Sequence, residues 1–442
     1  MKKVLFNLNS VAELLVKHGM KSGADDIEVS IDDGKNFSVE IRDGKIEKLI
    51  EAGSRSMSLK VIVDQKVATA SSSDFDIDTL KKLTEDTIRR AGFMSPDTFA
   101  SIPVYRKTKV NEGKLDLFDM NILKMPPEKK IDFAKAIEGI ALKDKRIRLS
   151  LGSYFASGSN EYFLANSNGF SGSYRITSCS TGVELQAGTG DNIYEDGWNE
   201  ASLKLGSLPP PEDIAVKAVN RTVRLIGARK VETQKVPVVF EPMMTGRILG
   251  MLSGCVSGTA VYMNRSFLKD KIGERISHKE VNITDDALMP GGLGSRPFDS
   301  EGVPSQKTRI VENGILKNYL LDTYSAKKLK MHSTGNDPGP SNFYLKGGEH
   351  SQEDIIKSVK KGMLLVKTIG QGFNSTTGDL STGAYGIWIE NGELSFPVSE
   401  VTISGNLSSM LKDIEMIGND LDFGRQINGP TIKVSEMTIA GK

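Results

Sequence analysis

Apolar residues along this chain recur in two rhythms. Spacing of three and four residues predicts helices over 11–20, 77–92, 127–142, 212–226 and 407–417. Strict alternation predicts strands over 27–32, 37–53 and 56–73, more through 147–188 and 369–406, and two short closing strands over 430–434 and 436–441. Asp43-Gly44, Asn313-Gly314 and Asn391-Gly392 each stand between two alternating runs, the strongest local signal of a hairpin. Gly158-Ser159-Asn160 and Asn168-Gly169 read as further turns, and Asn9-Ser10 as the cap of the first helix.

The stretch 236–258 combines both rhythms. Val236, Val238, Val239 and Phe240 predict a buried strand, Glu241-Pro242 a turn, and Met244, Ile248, Met251, Leu252 and Cys255 the core face of a helix. Gly246, Gly250, Ser253, Gly254 and Ser257 lie on that helix, and each glycine costs it about 1 kcal/mol relative to alanine. Close packing against another element, or a position beside a cleft, would account for them.

Pro209-Pro210-Pro211 is the clearest break in the chain. It divides an N-terminal domain of sheet plus helices (1–207) from a linker and connecting helix (208–229) and a β-rich domain (230–442). The class is α+β with two domains. The Pro/Gly-rich segment 288–305 is too long for a tight turn, and such loops are functional or disordered.

Composition narrows the function. With 57 basic and 56 acidic residues interspersed, the chain lacks the electrostatic footprint of a nucleic-acid binder. The opening MKKVLFN run is charged again by Glu13 and Lys17 and has no small-residue cleavage site, and no apolar run is long enough to span a membrane. Two widely separated cysteines, Cys179 and Cys255, suggest a cytoplasmic protein without disulfides. Cys179 is expected to be buried and inert. The four histidines, His18, His278, His332 and His350, share no metal-binding spacing. The glycine motifs at 291–294 and 370–372 lack the Lys-Ser/Thr and the βαβ setting of a phosphate loop. Gln371, Asn374, Gly378 and Asp379 gather polar groups on one loop, suited to a polar ligand or to an internally bonded turn.

Read in order, SFLKDKIG, GLGSRPFDSEGVPS, YLLDTYSAKKL, STGN, GQGFNSTTGDLSTGAYGIWIENGELSFPVSEVTISGNL and IGND resemble the TldD/PmbA family, formerly called modulators of DNA gyrase, and within it the PmbA (TldE) branch. The resemblance implies a C-terminal domain built on a large, mostly antiparallel, barrel-like sheet. It also implies a metallopeptidase setting. The TldD branch carries HExxxH on the helix after the paired-valine strand and a late cysteine before glycine, and here those positions hold Gly250, Met251, Cys255 and Phe423. Lone Cys255 cannot hold zinc, and without the glutamate no side chain there activates a water. The family therefore implies a non-catalytic subunit with no metal of its own, zinc being expected only in a TldD-like partner. It would complete a heterodimeric chamber for unfolded peptides, with Asn336, Gln371, Asn374, Gly378 and Asp379 as candidate cleft residues. The alternatives are a peptide-binding or regulatory homodimer without a peptidase, and a hydrolase using Cys255, Cys179 or a loop serine.

Overall fold

The computed structural model describes residues 7–104, 112–190 and 192–441; the lysines of the opening MKK lie outside them. Helix α1 (Leu8–Lys21) leads into the long strands β1 (Asp26–Arg42) and β2 (Lys45–Val63) and the shorter β3 (Lys66–Ser72). Then come α2 (Ile77–Ala91), α3 (Met120–Lys124), α4 (Pro127–Ala141), β4 (Ile147–Asn166), β5 (Ser171–Thr189), β6 (Asn192–Ser202) and α5 (Pro211–Val223). The strands form one antiparallel six-stranded sheet in the order β3-β2-β1-β4-β5-β6. Alternation decides its faces. Ile27, Val29 and Ile31 pack under α1 and α2, while Val183 and Leu185 pack under α4 and α5.

The second half begins with β7 (Gln234–Phe240), α6 (Pro242–Cys255) and α7 (Gly258–Tyr262). It continues through β8 (Ile283–Asp286), β9 (Lys307–Glu312), β10 (Ile315–Leu316), α8 (Thr323–Lys328), β11 (Phe343–Leu345) and α9 (Gln352–Lys357). It closes with β12 (Lys361–Ile369), β13 (Asp379–Glu390), β14 (Glu393–Asn406), α10 (Leu407–Lys412), β15 (Ile414–Ile417), β16 (Ile427–Asn428) and β17 (Ile432–Ala440). Strands β14, β13, β12, β7 and β17 pair in sequence, and β17 pairs back onto β14, so the sheet closes into a barrel with β15 beside β17. Only β7 and β12 run parallel within it. Val236, Val238 and Phe240 face the core that receives α6, and Val239 faces the opposite way toward α9. A smaller sheet, β10-β9-β8-β11-β16, completes the domain.

The hairpins stand where the sequence places them: Asp43, Gly44, Asn313, Gly314, Asn391 and Gly392 all adopt the positive φ of a two-residue turn. Several boundaries differ. Helix α1 starts earlier, capped by Asn7, whose side chain accepts from the Asn9 amide. The breaks expected at 33–36 and 54–55 do not exist, because Gly34 and Gly53 lie within β1 and β2 and pair with Ser54 and Lys35. Gly158-Ser159-Asn160 is likewise no turn. It lies mid-strand in β4, where a Cβ on Gly158 would sit 2.8 Å from the Lys35 carbonyl of β1, so this glycine serves close approach of two backbones.

The helix expected over 407–417 stops at Lys412. Ile414 and Ile417 pair with β17 through a bulge, which buries both at a spacing of three, the same spacing a helix would use. The two closing strands are one, β17, with a bulge between Val434 and Met437. The 288–305 segment is ordered. Phe298 packs edge-on against Phe170 of the N-terminal half with ring centroids 4.8 Å apart, and Tyr162 donates to the Ser300 carbonyl at 3.2 Å. Behind it the carboxylates of Asp299, Glu301 and Asp337 lie around Glu28 of β1, with Lys60 as a nearby cation.

Candidate functional site

Helix α6 is fixed at its start by charge. Glu241, its N-cap residue, makes no capping bond with its side chain. Its buried carboxylate instead accepts from Arg221 Nη1 at 2.8 Å and from Arg224 at 3.0 and 3.2 Å, both arginines coming from the α5 turn. Arg221 also meets Asp196 of β6 at 3.2 Å. Four charged side chains thus lock the N-terminal sheet to the barrel at the point where α6 begins.

Next to this lock lies a cleft of about 370 Å³, walled by β6, the first half of α6 and the loop 422–429. Trp198 forms one wall. Its indole donates to Glu200 at 2.5 Å, and Lys217, Arg221 and Arg425 lie 3.7, 5.3 and 5.5 Å from its ring. Each cation so placed is drawn to the aromatic face. Arg425 also donates to Asn199 Oδ1 at 3.1 Å, and Arg247 of α6 to the Gly370 carbonyl at 2.6 Å. The cleft therefore combines an aromatic wall, guanidinium groups and, in Gly246, Gly424 and Gly429, backbone without side chains.

The positions singled out on α6 divide between the cleft side and the core. A Cβ on Gly250 would stand 3.9 Å from Ile427, in the same loop as Phe423 and Gly424. Phe423 itself is 41% exposed and packs edge-on against Tyr344. Met251 is half-buried at the edge of the core, and Cys255 is fully buried within it. Residues five apart on a regular helix point about 140° from each other, so positions 250 and 255 do not share a face. Burial pushes the Cys255 thiol up to about 12, and no cation offsets it. Cys179 is buried and pushed up to about 12 as well, burial again outweighing Lys130, so neither sulfur is a ready thiolate.

A glycine, a thioether and a protonated core thiol do not suit zinc. Among the described residues no three His, Cys, Asp or Glu side chains gather into a metal-holding group. His332 and His350 are exposed, and His18 contacts Glu85 of α2 at 2.9 Å.

The cleft residues expected from the resemblance fall into two networks. Asn336 is buried and donates to Asp285 at 2.7 Å, a carboxylate that also accepts from the Ser341 amide and hydroxyl. Gln371 and Asn374 are exposed on the loop between β12 and β13, which Arg247 ties to α6. Asn374 Oδ1 accepts from the Thr376 amide, Gly378 takes φ 84, and Asp379 accepts from Thr377 and Asn406 at 2.6 and 2.9 Å. Those bonds hold the Asp379 carboxyl below the ordinary range. The loop is an internally bonded turn beside α6, whereas Asn336 bonds to Asp285 and the Gly339 carbonyl. Trp198, Arg425 and the Arg221–Glu241 pair escaped the sequence reading. A lone tryptophan in an otherwise polar alternating strand was the one signal for the first.

Family models described as PmbA/TldA metallopeptidase domain 1, central domain and C-terminal domain match residues 27–91, 121–226 and 233–441. The Metalloprotease PmbA of Escherichia coli O157:H7 is 32% identical over 442 residues, 100% of this chain and 97% of that one. A crystal structure from Bacteroides thetaiotaomicron, described as a candidate modulator of DNA gyrase, superposes with a TM-score of 0.92 at 29% identity, covering 98% of both chains. TldE of Thermococcus kodakarensis shares the fold, with a TM-score of 0.86 at 23% identity over 98% of this chain and 100% of that one.

Proposed function

This chain belongs to the PmbA/TldD metallopeptidase family, and on that premise we propose that it is a non-catalytic, PmbA/TldE-like subunit that works with a metal-bearing TldD-like chain on unfolded peptides in the cytoplasm. The observation that carries this reading is α6. The resemblance sets the family's ligands on this helix, whereas Gly250, Met251 and Cys255 offer no ligand set and Cys255 is committed to the core. The chain's own residues would then shape and orient. Trp198, Arg247 and Arg425 line a cleft in which an extended peptide could be held through its backbone and carboxylates. Main-chain bonding of that kind is tolerant of sequence, as degradation of unfolded chains requires.

Metal analysis and a peptidase assay test the proposal together. The purified chain should hold no stoichiometric zinc and leave an unfolded peptide such as casein intact, and cleavage should appear when a TldD-like chain with HExxxH is added. Zinc-dependent cleavage by the isolated chain would overturn it. Recovery of only a self-dimer, with no HExxxH-bearing partner, would favour a peptide-binding homodimer instead.

A further inference from the structure

A second cleft, sharing no wall with the one at α6, lies on the N-terminal sheet. Strand register builds its floor: Glu51 of β2 and Ser157 of β4 stand directly across from Phe37 of β1. Ile122 of α3 and Lys130 of α4 face that row across a cleft of about 480 Å³, with Lys35 at the rim.

Lys130 is the unusual member. It is 7% exposed, and lysine is almost never so buried without a partner. Its amine lies 4.6 Å from the centroid of the Phe37 ring, yet among the described residues no carboxylate pairs with it and no acceptor is hydrogen-bonded to it. It also stands in the first turn of α4, where the helix dipole disfavours a cation. Burial lowers the pKa of this amine, and Glu51 is the first of the charges that oppose the shift. The site therefore holds a cation over the Phe37 ring in a cleft of mixed lining, with Glu51 on the same floor but in no salt bridge with it.

We propose that this cleft binds a small monocarboxylate with an apolar body, free apolar amino acids included. The carboxylate meets the Lys130 amine and the apolar body lies between Phe37 and Ile122. Glu51 disfavours a second negative charge, which argues against phosphates and dicarboxylates, and it suits the ammonium of an amino acid. This inference does not rest on the peptidase reading.

Calorimetric titration of the full chain with 4-methylpentanoate tests it, with leucine as the amino-acid form and 4-methylpentanol as the neutral control. One saturable site per chain is expected, weakened about tenfold or more in Lys130→Met and kept in Lys130→Arg. If Lys130→Met does not fold, wild-type binding still reports, because affinity should fall as the pH rises through the lysine's titration. No saturable binding at about 10 mM ligand overturns the proposal. So does equal binding by folded Lys130→Met, equal binding of the alcohol, or affinity unchanged up to pH 10.5, the ordinary lysine value.

Discussion

Arg221 of α5 donates through Nη1 to Oε1 of Glu241 at 2.8 Å, and both side chains are buried, so the helix that packs on the N-terminal sheet grips the residue that starts α6. A carboxylate at a helix N-cap ordinarily serves the helix's own amides. Here it serves the join between the two halves. Breaking such a pair strands a buried charge, which costs about 3–5 kcal/mol. Glu241→Ala should therefore destabilise the protein by about that amount, read from the denaturant midpoint. Limited proteolysis should then cut first in the exposed connections around α5. A loss below about 1 kcal/mol would show that the pair is not an important join.

Gly250 and Cys255, at the two ends of the α6 stretch singled out by the resemblance, should respond to substitution in opposite ways. Gly250 is a helical glycine whose added Cβ would make only an ordinary contact, 3.9 Å from Ile427, and replacing it by a residue of better propensity costs little, so Gly250→His should stay within about 0.5 kcal/mol of the native protein. Cys255 has no space around it. Cys255→Ala should cost about 1 kcal/mol by lost packing, and Cys255→His about 3 kcal/mol or more by burying an unpaired imidazole. Thermal and denaturant unfolding of the three variants checks this ordering. Cys255→Ala should leave partner-dependent cleavage unchanged.

Stability should fall as pH rises from about 4.5 to about 8. Burial, reinforced by Glu301, Asp299 and Asp337 and only partly opposed by Lys60, raises the Glu28 carboxyl from 4.5 to about 8. Asp299 rises to about 7, first by burial and then by Glu301. A carboxyl raised on folding binds more protons in the native state across that window, so its contribution declines steadily with pH and is fully lost above the folded value. The Oε2 atom of Glu28 has no hydrogen-bond partner among the described residues. Glu28→Gln should accordingly be more stable than the native protein at pH 8.5, with the difference shrinking toward pH 5. A difference that does not change with pH would refute the assignment.

Gly158→Ala should open the β1–β4 pairing. The added methyl group meets a backbone carbonyl at 2.8 Å and the Asn36 side chain at 2.5 Å, and a strand in mid-sheet cannot move aside without breaking its ladder. A cost of about 1–3 kcal/mol is expected from denaturant unfolding. Were Gly158 in an exposed turn, as the sequence suggests, the change would be nearly neutral.

Local chemistry was legible in the chain itself. Asp43-Gly44 and Asn391-Gly392 dictate their hairpins because few residues other than asparagine, aspartate and glycine accept positive φ. The Val236–Phe240 strand and the helix after it follow from periods of two and three to four. What periodicity could not decide was anything set by a second strand. Gly158 looks like a turn until β1 is seen across from it, and Ile414 and Ile417 look helical until a bulge in β15 is seen to bury both. The Trp198 cleft, the Arg221–Glu241 lock and the unpaired amine of Lys130 depend on residues 14 to 226 positions apart being brought together. Side-chain spacing along a chain fixes which face a residue takes, but only tertiary packing fixes what that face meets.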